Sequence, residues 1–216
     1  MEWRLLEGVP AEQVRELLKV ARRRRFSRNE VVFHRDDPGD SVHLVQRGRF
    51  AVRVMTPLGD TATIAVRGPG DSFGEMALVA AQPRRAATVA ALEDAETIAV
   101  YRDDFERIRS RHPTIDEMLF RFLTNEVRTL NELLLEALYV PVEKRVRRRL
   151  VELAALYPGA DGPVLVLTQE TLAEVAGTSR PTMNQVLRDE EKRGAIELSR
   201  GRIRLVDVAD LARRAR

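Results

Sequence analysis

The apolar positions of this chain repeat with two different periods along its length. Helical spacing over residues 10–24 predicts a first amphipathic helix, and we interpret the basic run at residues 22–25 as its solvated end rather than a nucleic-acid contact. From Glu30 to Tyr101 the chain changes to short Val-, Ile- and Thr-rich runs between Gly, Pro and Asp. The predicted strands are VVFH, SVHLV, FAVRV, TATIAV, AATVAAL and AETIAVY, with residues 56–60 as a hairpin tip. Such closely spaced strands favour a β-sandwich or a rolled barrel.

Helical spacing returns after His112-Pro113 and predicts a long helix over residues 114–139. One apolar row steps by four and three residues, the spacing of a two-stranded coiled coil: Leu123, Val127, Leu130, Leu134 and Ala137. A second row faces elsewhere: Leu119, Phe122, Leu133 and Leu138. Since both rows must be buried, we expect one on the β-domain and the other on a partner subunit of a homodimer. The alternative is that the first row packs on its own domain.

Pro141 ends the long helix and marks a domain boundary. Beyond it we predict a helix over 143–157, a loop over 157–163, a strand over 164–167, helices over 169–176 and 179–193, and a hairpin over 195–207 with Arg200 and Gly201 at its tip. This order is a winged helix-turn-helix. The chain is therefore an α+β protein with a β-roll at residues 1–113, a dimerisation helix at 114–140 and a DNA-binding domain at 141–216.

The second helix of the helix-turn-helix carries side chains suited to reading DNA. Arg180 can bond bidentately to guanine, and Asn184 and Gln185 can read adenine. Thr178 or Ser179 can cap this helix. The residues suited to phosphate contacts are Thr168, Gln169, Ser179, Thr182, Arg200 and Arg202. The alternative is an ordinary helical hairpin with a surface arginine.

Residues 71–89 combine the groups that a nucleotide pocket needs. Glu75 supplies a carboxylate for ribose hydroxyls, a turn at Gly74 offers backbone amides, and Arg85 supplies a guanidinium for phosphate. The alternative is that Glu75 and Arg85 form a structural ion pair that closes a turn.

The same stretch closely resembles the phosphate-binding cassette of the cyclic AMP receptor protein family of bacterial transcription factors, in the order Gly-Glu-x-x-Leu and Arg-x-Ala-x-Val. The matching residues are Gly74, Glu75, Leu78, Arg85, Ala87 and Val89. The resemblance covers nearly the whole chain. It implies that cyclic AMP is an allosteric ligand, that Val52 and Ile64 are apolar walls, and that Gly74, Met76 and Ala77 line the phosphate. It also implies that Arg180 reads guanine and that Ser179 and Thr182 face phosphates.

Several positions depart from the family pattern. Ala86 stands where the family has a phosphate-bonding serine, and Leu130 and Asn131 stand where a threonine and a serine contact the adenine from both subunits. In the DNA reader, Pro181 replaces a base-contacting glutamate and Gln185 replaces a second arginine. We therefore expect weaker discrimination of adenine and an operator that differs from the best-known half-site.

Composition narrows the function classes. There are no cysteines, which excludes disulfides, Cys-ligated zinc and iron–sulfur clusters. We find no convincing haem or metal ligands among His34, His43 and His112, no signal peptide, no membrane segment and no catalytic motif, so we expect a cytoplasmic protein that is not an enzyme. Residues 141–216 carry 15 Lys or Arg against 11 Asp or Glu, whereas residues 1–140 carry 21 against 22. Positive charge thus collects in the predicted DNA-binding domain.

These observations predict a cyclic-AMP-responsive transcription activator that binds a pseudo-palindromic operator as a homodimer and contacts RNA polymerase. The 157–163 loop corresponds to a polymerase-contacting loop in the resembled family. Two alternatives stay open: a regulator of the same fold that is constitutive or senses another small molecule, and a β-roll enzyme with an accessory DNA-binding domain.

Overall fold

The computed structural model describes residues 2–56, 59–79 and 83–216. Pro57 and Leu58, at the predicted hairpin tip, and residues 80–82 of the cassette lie outside these ranges. The chain divides into two compact units, one formed by residues 1–54 and 65–130 and the other by residues 55–64 and 131–216. Within the described ranges, no helix has the length and apolar character that crossing a membrane requires.

The first part of the chain consists of a helix, a series of strands interrupted by one short helix, and two further helices at its end. Its elements are α1 (Ala11–Val20), β1 (Arg22–Phe26), β2 (Val31–Phe33), β3 (Ser41–Arg47), β4 (Phe50–Met55), β5 (Thr61–Arg67), β6 (Ser72–Phe73), α2 (Met76–Val79), β7 (Thr88–Ala91), β8 (Ala95–Tyr101), α3 (Arg102–Arg109) and α4 (Thr114–Tyr139). The second part contains α5 (Val142–Leu156), β9 (Val164–Leu165), α6 (Gln169–Ala176), α7 (Arg180–Lys192), β10 (Ile196–Ser199), β11 (Arg202–Leu205) and α8 (Val208–Arg214).

Two four-stranded sheets form the predicted β-roll, with strand orders β1-β8-β3-β6 and β2-β7-β4-β5. The inward side chains of both sheets meet around Phe50, whose ring lies 5.7 Å from that of Phe26 and 4.9 Å from that of Phe73. A second apolar cluster joins β3 and β8 to α1, α3 and the start of α4. The cassette begins with β6, whose Phe73 lies in this core, so the core fixes the position from which the cassette starts.

The basic run at residues 22–25 is not a helix end, and that prediction was wrong. The run forms β1, an edge strand paired antiparallel with β8 from Arg22 opposite Ala99 to Phe26 opposite Ala95. Arg23 and Arg25 both pair with Glu96 on β8. Pairing with a neighbouring strand overrides the local helical pattern, and exposed charges are a common feature of edge strands because they discourage pairing with other chains.

The long helix α4 has the predicted bounds, and its two apolar rows have different environments. In the second row, Leu119 is buried and Phe122 packs against the first unit's core, but Leu138 is 64% exposed, so this row is only partly covered. In the first row, Val127, Leu130 and Leu134 are each 57% exposed. The first row therefore does not pack on its own domain in this single chain.

The second unit has a core built from helices α5 to α8 and the small sheet. Its strand order is β10-β11-β9, and the hairpin of β10 and β11 forms the predicted wing. Five apolar positions of α6 and α7 are buried in this core: Leu172, Ala176, Met183, Val186 and Leu187. Sequence analysis made no prediction for α8, whose Leu211 is buried in the same unit.

Candidate functional site

The turn before α2 brings Gly74 against Arg85. Gly74 has a φ of 82°, the left-handed region that favours glycine. A Cβ added here would lie 2.7 Å from Nη1 of Arg85 and 3.0 Å from the backbone oxygen of Ser41. Conformation and space therefore both require glycine at this position, and the cassette arginine lies directly against it.

Arg85 is buried, and its two terminal nitrogens donate to residues that the sequence motif does not include. Its Nη1 donates to the backbone oxygen of Ser41 at 2.6 Å, and its Nη2 donates to Oγ of Ser41 at 2.9 Å and to Oδ1 of Asp40 at 3.0 Å. The guanidinium lies 4.0 Å above the ring of Phe33, a cation–π distance. Arg85 therefore pairs with Asp40 and not with Glu75, contrary to the alternative of a Glu75–Arg85 ion pair.

Glu75 presents a half-buried carboxylate. Burial raises its pKa, while a hydrogen bond from its own backbone and the charge of Arg67 lower it. In the part of the chain that the structure describes, no side chain donates a hydrogen bond to Glu75. An ionised carboxylate with no side-chain donor is suited to accept hydrogen bonds from the hydroxyl groups of a ligand.

The other predicted ligand residues are divided between the two units. Val52 packs against the β-roll core, Ala77 is buried, and Met76, Ala86 and Leu130 are exposed within the first unit. Ile64 and Asn131 are exposed and belong to the second unit. The structure thus brings Gly74, Glu75 and Arg85 together with the start of α2.

A cavity of about 300 Å³ borders Arg85 on the side of β1 and β3. Its lining includes Arg24, Asp40, His43 and Tyr101, but not Val52, Ile64 or Glu75. Burial lowers the pKa of His43 to about 3, so this ring is neutral. His43 also bonds to Thr97 at 3.0 Å, which gives it a structural role in the core. The described residues contain no group of three or more His, Cys, Asp or Glu that could hold a metal ion.

The helix-turn-helix has its predicted local geometry. Thr168 caps α6 by accepting from the amide of Thr171 at 3.0 Å, and Ser179 caps α7 by accepting from the amide of Thr182 at 3.3 Å. Gly177 has a φ of 58°, which the tight turn between the helices requires. Thr178 therefore precedes the cap and does not form it.

The predicted DNA-contacting side chains lie on the surface of the second unit. The exposed ones are Thr168, Ser179, Arg180, Gln185, Arg200 and Arg202, and the half-buried ones are Gln169, Thr178, Thr182 and Asn184. Gln185 donates to both carboxylate oxygens of Asp189, each at 3.1 Å. Its amide must leave Asp189 before it can bond a base with both of its polar atoms.

A buried carboxylate holds α7 against its neighbours. Glu190 accepts from Nε of Arg147 on α5 and from Nη1 of Arg214 on α8, both at 2.8 Å. Burial alone would raise the pKa of Glu190, but these bonds from Arg214 and Arg147 hold it below its ordinary value. The cluster ties the C-terminal half of α7 to α5 and α8. Sequence analysis missed it because its members are far apart in the chain.

Comparison with known proteins accounts for both units. The cyclic nucleotide-binding domain matches residues 23–112, and the Crp-like helix-turn-helix domain matches residues 144–214. The "CRP-like cAMP-activated global transcriptional regulator" of Mycobacterium tuberculosis is 30% identical over 98% of this chain and 96% of its own length. The chain belongs to the cyclic AMP receptor protein family.

Another relative and two solved structures also match most of the chain. The "Cyclic AMP receptor protein" of Thermus thermophilus is 30% identical over 95% of this chain and 93% of its own length. The crystal structure of the Thermus thermophilus catabolite activator protein has a TM-score of 0.57 at 28% identity and covers 98% of both chains. FixK2 from Bradyrhizobium japonicum has a TM-score of 0.79 at 19% identity over 90% of this chain and 96% of that one, which supports the fold alone. The family consists of transcription regulators rather than enzymes.

Proposed function

We propose that this family member is a cyclic-AMP-responsive transcription activator that binds a pseudo-palindromic operator as a homodimer. The observation that carries the proposal is the contact of Arg85 with Gly74 in the turn that also presents the carboxylate of Glu75. In this scheme residues 1–113 bind the nucleotide, residues 114–140 form the dimer and residues 141–216 bind DNA.

Cyclic AMP fits the chemistry of this turn. Glu75 would accept the ribose hydroxyl, and Arg85 would supply the positive charge for the cyclic phosphate. The relatives named above as cAMP-activated and as a cyclic AMP receptor support this ligand. Ala86 offers no hydroxyl to the phosphate, and Leu130 offers no hydrogen bond to the base, so we expect modest affinity and weak preference for adenine over guanine.

The exposed first row of α4 supports the homodimer. Val127, Leu130 and Leu134 each keep more than half of their surface in the single chain, and together they follow the seam spacing of a two-stranded coiled coil. Burial of an apolar side chain contributes about 1.5–3 kcal/mol. A second copy would cover the row with an identical row, as the two-fold symmetry of most homodimers requires.

Ligand control follows from a difference in affinity between two states of the dimer. Nucleotide in the β-roll would contact Leu130 and Asn131 of both subunits and favour one arrangement of the Pro141 hinge. The two α7 helices would then enter successive major grooves about 34–36 Å apart. Ligand must bind this DNA-competent state more tightly, because equal affinity for both states shifts no population. Activation would proceed through RNA polymerase, with the 157–163 loop as the contact.

Arg180 is the residue we expect to read a guanine, since it is exposed at the first turn of α7. Ser179 and Thr182 lie on the same turn and suit phosphate contacts, together with Thr168, Arg200 and Arg202.

A second candidate function is a regulator of the same fold that is constitutive or answers to another small molecule. The observation that favours it is the engagement of Arg85 by Asp40 and Ser41, which ligand phosphate must disturb. Calorimetric titration with cyclic AMP and cyclic GMP separates the two candidates. We expect cyclic AMP to bind and to increase operator affinity. Binding of neither nucleotide at millimolar concentration, with operator binding intact, would leave the second candidate.

A further inference from the structure

A carboxylate and two arginines bridge the hinge at Pro141. Glu136 lies in the last turn of α4, on one side of the hinge, and Arg148 and Arg149 lie on α5, on the other side. Nη2 of Arg149 donates to Oε1 of Glu136 at 2.6 Å, and Nη1 of Arg148 donates to Oε2 of Glu136 at 3.3 Å. We call these three residues the hinge clamp, and all of them belong to the second unit.

The carboxylate at the centre of the hinge clamp is shielded from solvent. The side chain of Glu136 is 11% exposed and that of Arg149 is 12% exposed. Water and salt screen such a pair less than an exposed one. Loss of one partner also leaves the other charge shielded and without compensation. The contact between Glu136 and Arg149 is therefore better suited to hold one geometry than an exposed ion pair would be.

A third arginine of α5 binds the backbone near the same hinge. Nη1 of Arg145 donates to the backbone oxygen of Ala137 at 3.1 Å, and its Nη2 donates to that of Gly177 at 3.1 Å. The last carbonyl groups of a helix have no partner within the helix, and the helix dipole favours a cation there. Ala137 lies at the end of α4 and Gly177 follows α6. Arg145 therefore joins the end of the long helix to the turn that precedes α7.

The arginines of the hinge clamp also have partners inside the proposed DNA-binding domain. Nε of Arg148 donates to the backbone oxygen of Ala215 at 2.7 Å, and Nη1 of Arg149 donates to Glu152 on α5. Both arginines can keep these bonds when Glu136 is absent. Loss of Glu136 should therefore loosen the tie between α4 and the DNA-binding domain without removing the contacts that hold the domain itself together.

We propose that Glu136 is a positioning residue for DNA recognition: it holds α5 against the end of α4 and so sets the direction in which the DNA-binding domain leaves the dimerisation helix. The inference rests on the proposed function, because it requires a homodimer whose two α7 helices bind two half-sites. The spacing of the half-sites is fixed, so both domains bind together only when their separation matches it. A defined hinge raises the effective concentration of the second domain at its half-site once the first domain has bound.

The test compares wild type, Glu136→Gln, Arg149→Gln and the double variant on two DNA probes. One probe is a full operator, selected with wild-type protein from a random pool of duplexes, and the other carries only one of its half-sites. With saturating cyclic AMP, we expect Glu136→Gln to bind the full operator about threefold to tenfold more weakly and the half-site as wild type does. It should also discriminate less against an operator lengthened by one base pair between the half-sites, because a looser hinge accepts more separations.

Two comparisons show whether the contact across the hinge is responsible. The double variant should bind the full operator no more weakly than Glu136→Gln, since both changes break the same contact. Glu152→Gln is the matched control, because it removes a carboxylate from the same arginine but leaves the contact across the hinge. It should keep the wild-type preference for the full operator, and thermal melting checks that every variant folds.

The inference and the proposed function fail in different ways. Equal weakening of Glu136→Gln on the full operator and the half-site would indicate a general loss of structure in the domain and would overturn the inference. Unchanged discrimination of the spacing by Glu136→Gln, or the same effect from Glu152→Gln, would overturn it too. Wild-type protein that binds the half-site as tightly as the full operator contradicts the proposed homodimer itself.

Discussion

The nucleotide pocket and the DNA reader of this chain are prepared for their ligands to different degrees. In the DNA reader, Arg180 is exposed on a helix whose first turn is already capped by Ser179. In the pocket, the guanidinium of Arg85 is buried and bonded to Asp40 and Ser41. Arg180 can therefore meet DNA as it stands, whereas Arg85 must exchange hydrogen bonds before it meets a phosphate.

The difference follows from the sequence distance over which each site is assembled. Ser179 caps a helix through a residue three positions away, so local chemistry decides the geometry. Arg85 meets its partners across 44 and 45 residues of chain, through the pairing of strands. A long-range site can adopt alternative partners when a ligand arrives, which is what an allosteric pocket needs.

The largest effect should come from breaking the proposed dimer interface on α4, which links the nucleotide pocket to the DNA reader. We expect Leu134→Glu to split the dimer and abolish operator binding, because two like charges would face each other in a buried seam. Sedimentation and an operator gel shift measure both effects. Leu135→Glu, at an exposed position outside the seam, should leave the dimer intact. An intact Leu134→Glu dimer would place the interface elsewhere.

The next largest effect concerns the DNA reader by itself. Arg180→Ala should cost about 1–3 kcal/mol of operator binding and relax the preference at one guanine in each half-site. Fluorescence titration with a series of operators that each carry one altered base pair measures this loss. Arg188→Ala, an exposed arginine further along α7, is the matched control. Equal loss on every sequence would make Arg180 a phosphate contact.

Much of the fold was predictable because its signals are local. The bounds of α4 and α6 and the tip of the wing agree with the periodicity and with the glycine positions. The basic run at residues 22–25 was mistaken for a helix end because its structure depends on pairing with β8, some 70 residues away. Leu138 likewise continues an apolar row in sequence but is exposed in this chain.

The motif of the candidate site was predictable from the sequence, but the residues that bond to its side chains were not. Gly74, Glu75 and Arg85 could be found from their spacing. Asp40 and Ser41 could not, since a polar pair at the start of a strand is common and carries no signal of its own. The same holds for Glu136 and Arg149, whose pairing needs α5 to be placed against the end of α4.

A smaller effect is expected when Arg85, the proposed positive charge for the cyclic phosphate, is replaced. Arg85→Leu should weaken cyclic AMP binding by about one to two orders of magnitude, because a charge-assisted bond contributes roughly 1.5–3 kcal/mol. Calorimetry measures the affinity, and Arg84→Leu is the control, since its neighbouring guanidinium bonds the backbone oxygen of Asp36. If Arg85→Leu bound cyclic AMP as tightly as wild type, the phosphate would be held by another group.

The smallest effect tests whether Asp40 and the phosphate compete for Arg85. Asp40 is bonded to Nη2 of Arg85 but its side chain is 67% exposed, so the ion pair is worth at most about 1 kcal/mol. If the phosphate displaces Asp40, Asp40→Asn should tighten cyclic AMP binding by up to about fivefold, because the competing charge is gone. Asp37→Asn is the matched control, since Asp37 also acts on Arg85 by its charge but makes no side-chain bond to it. Equal tightening by both variants would indicate a general change in electrostatic potential rather than competition. Weaker binding by Asp40→Asn would mean that Asp40 orients Arg85 toward the phosphate and that the pocket is as well prepared as the DNA reader.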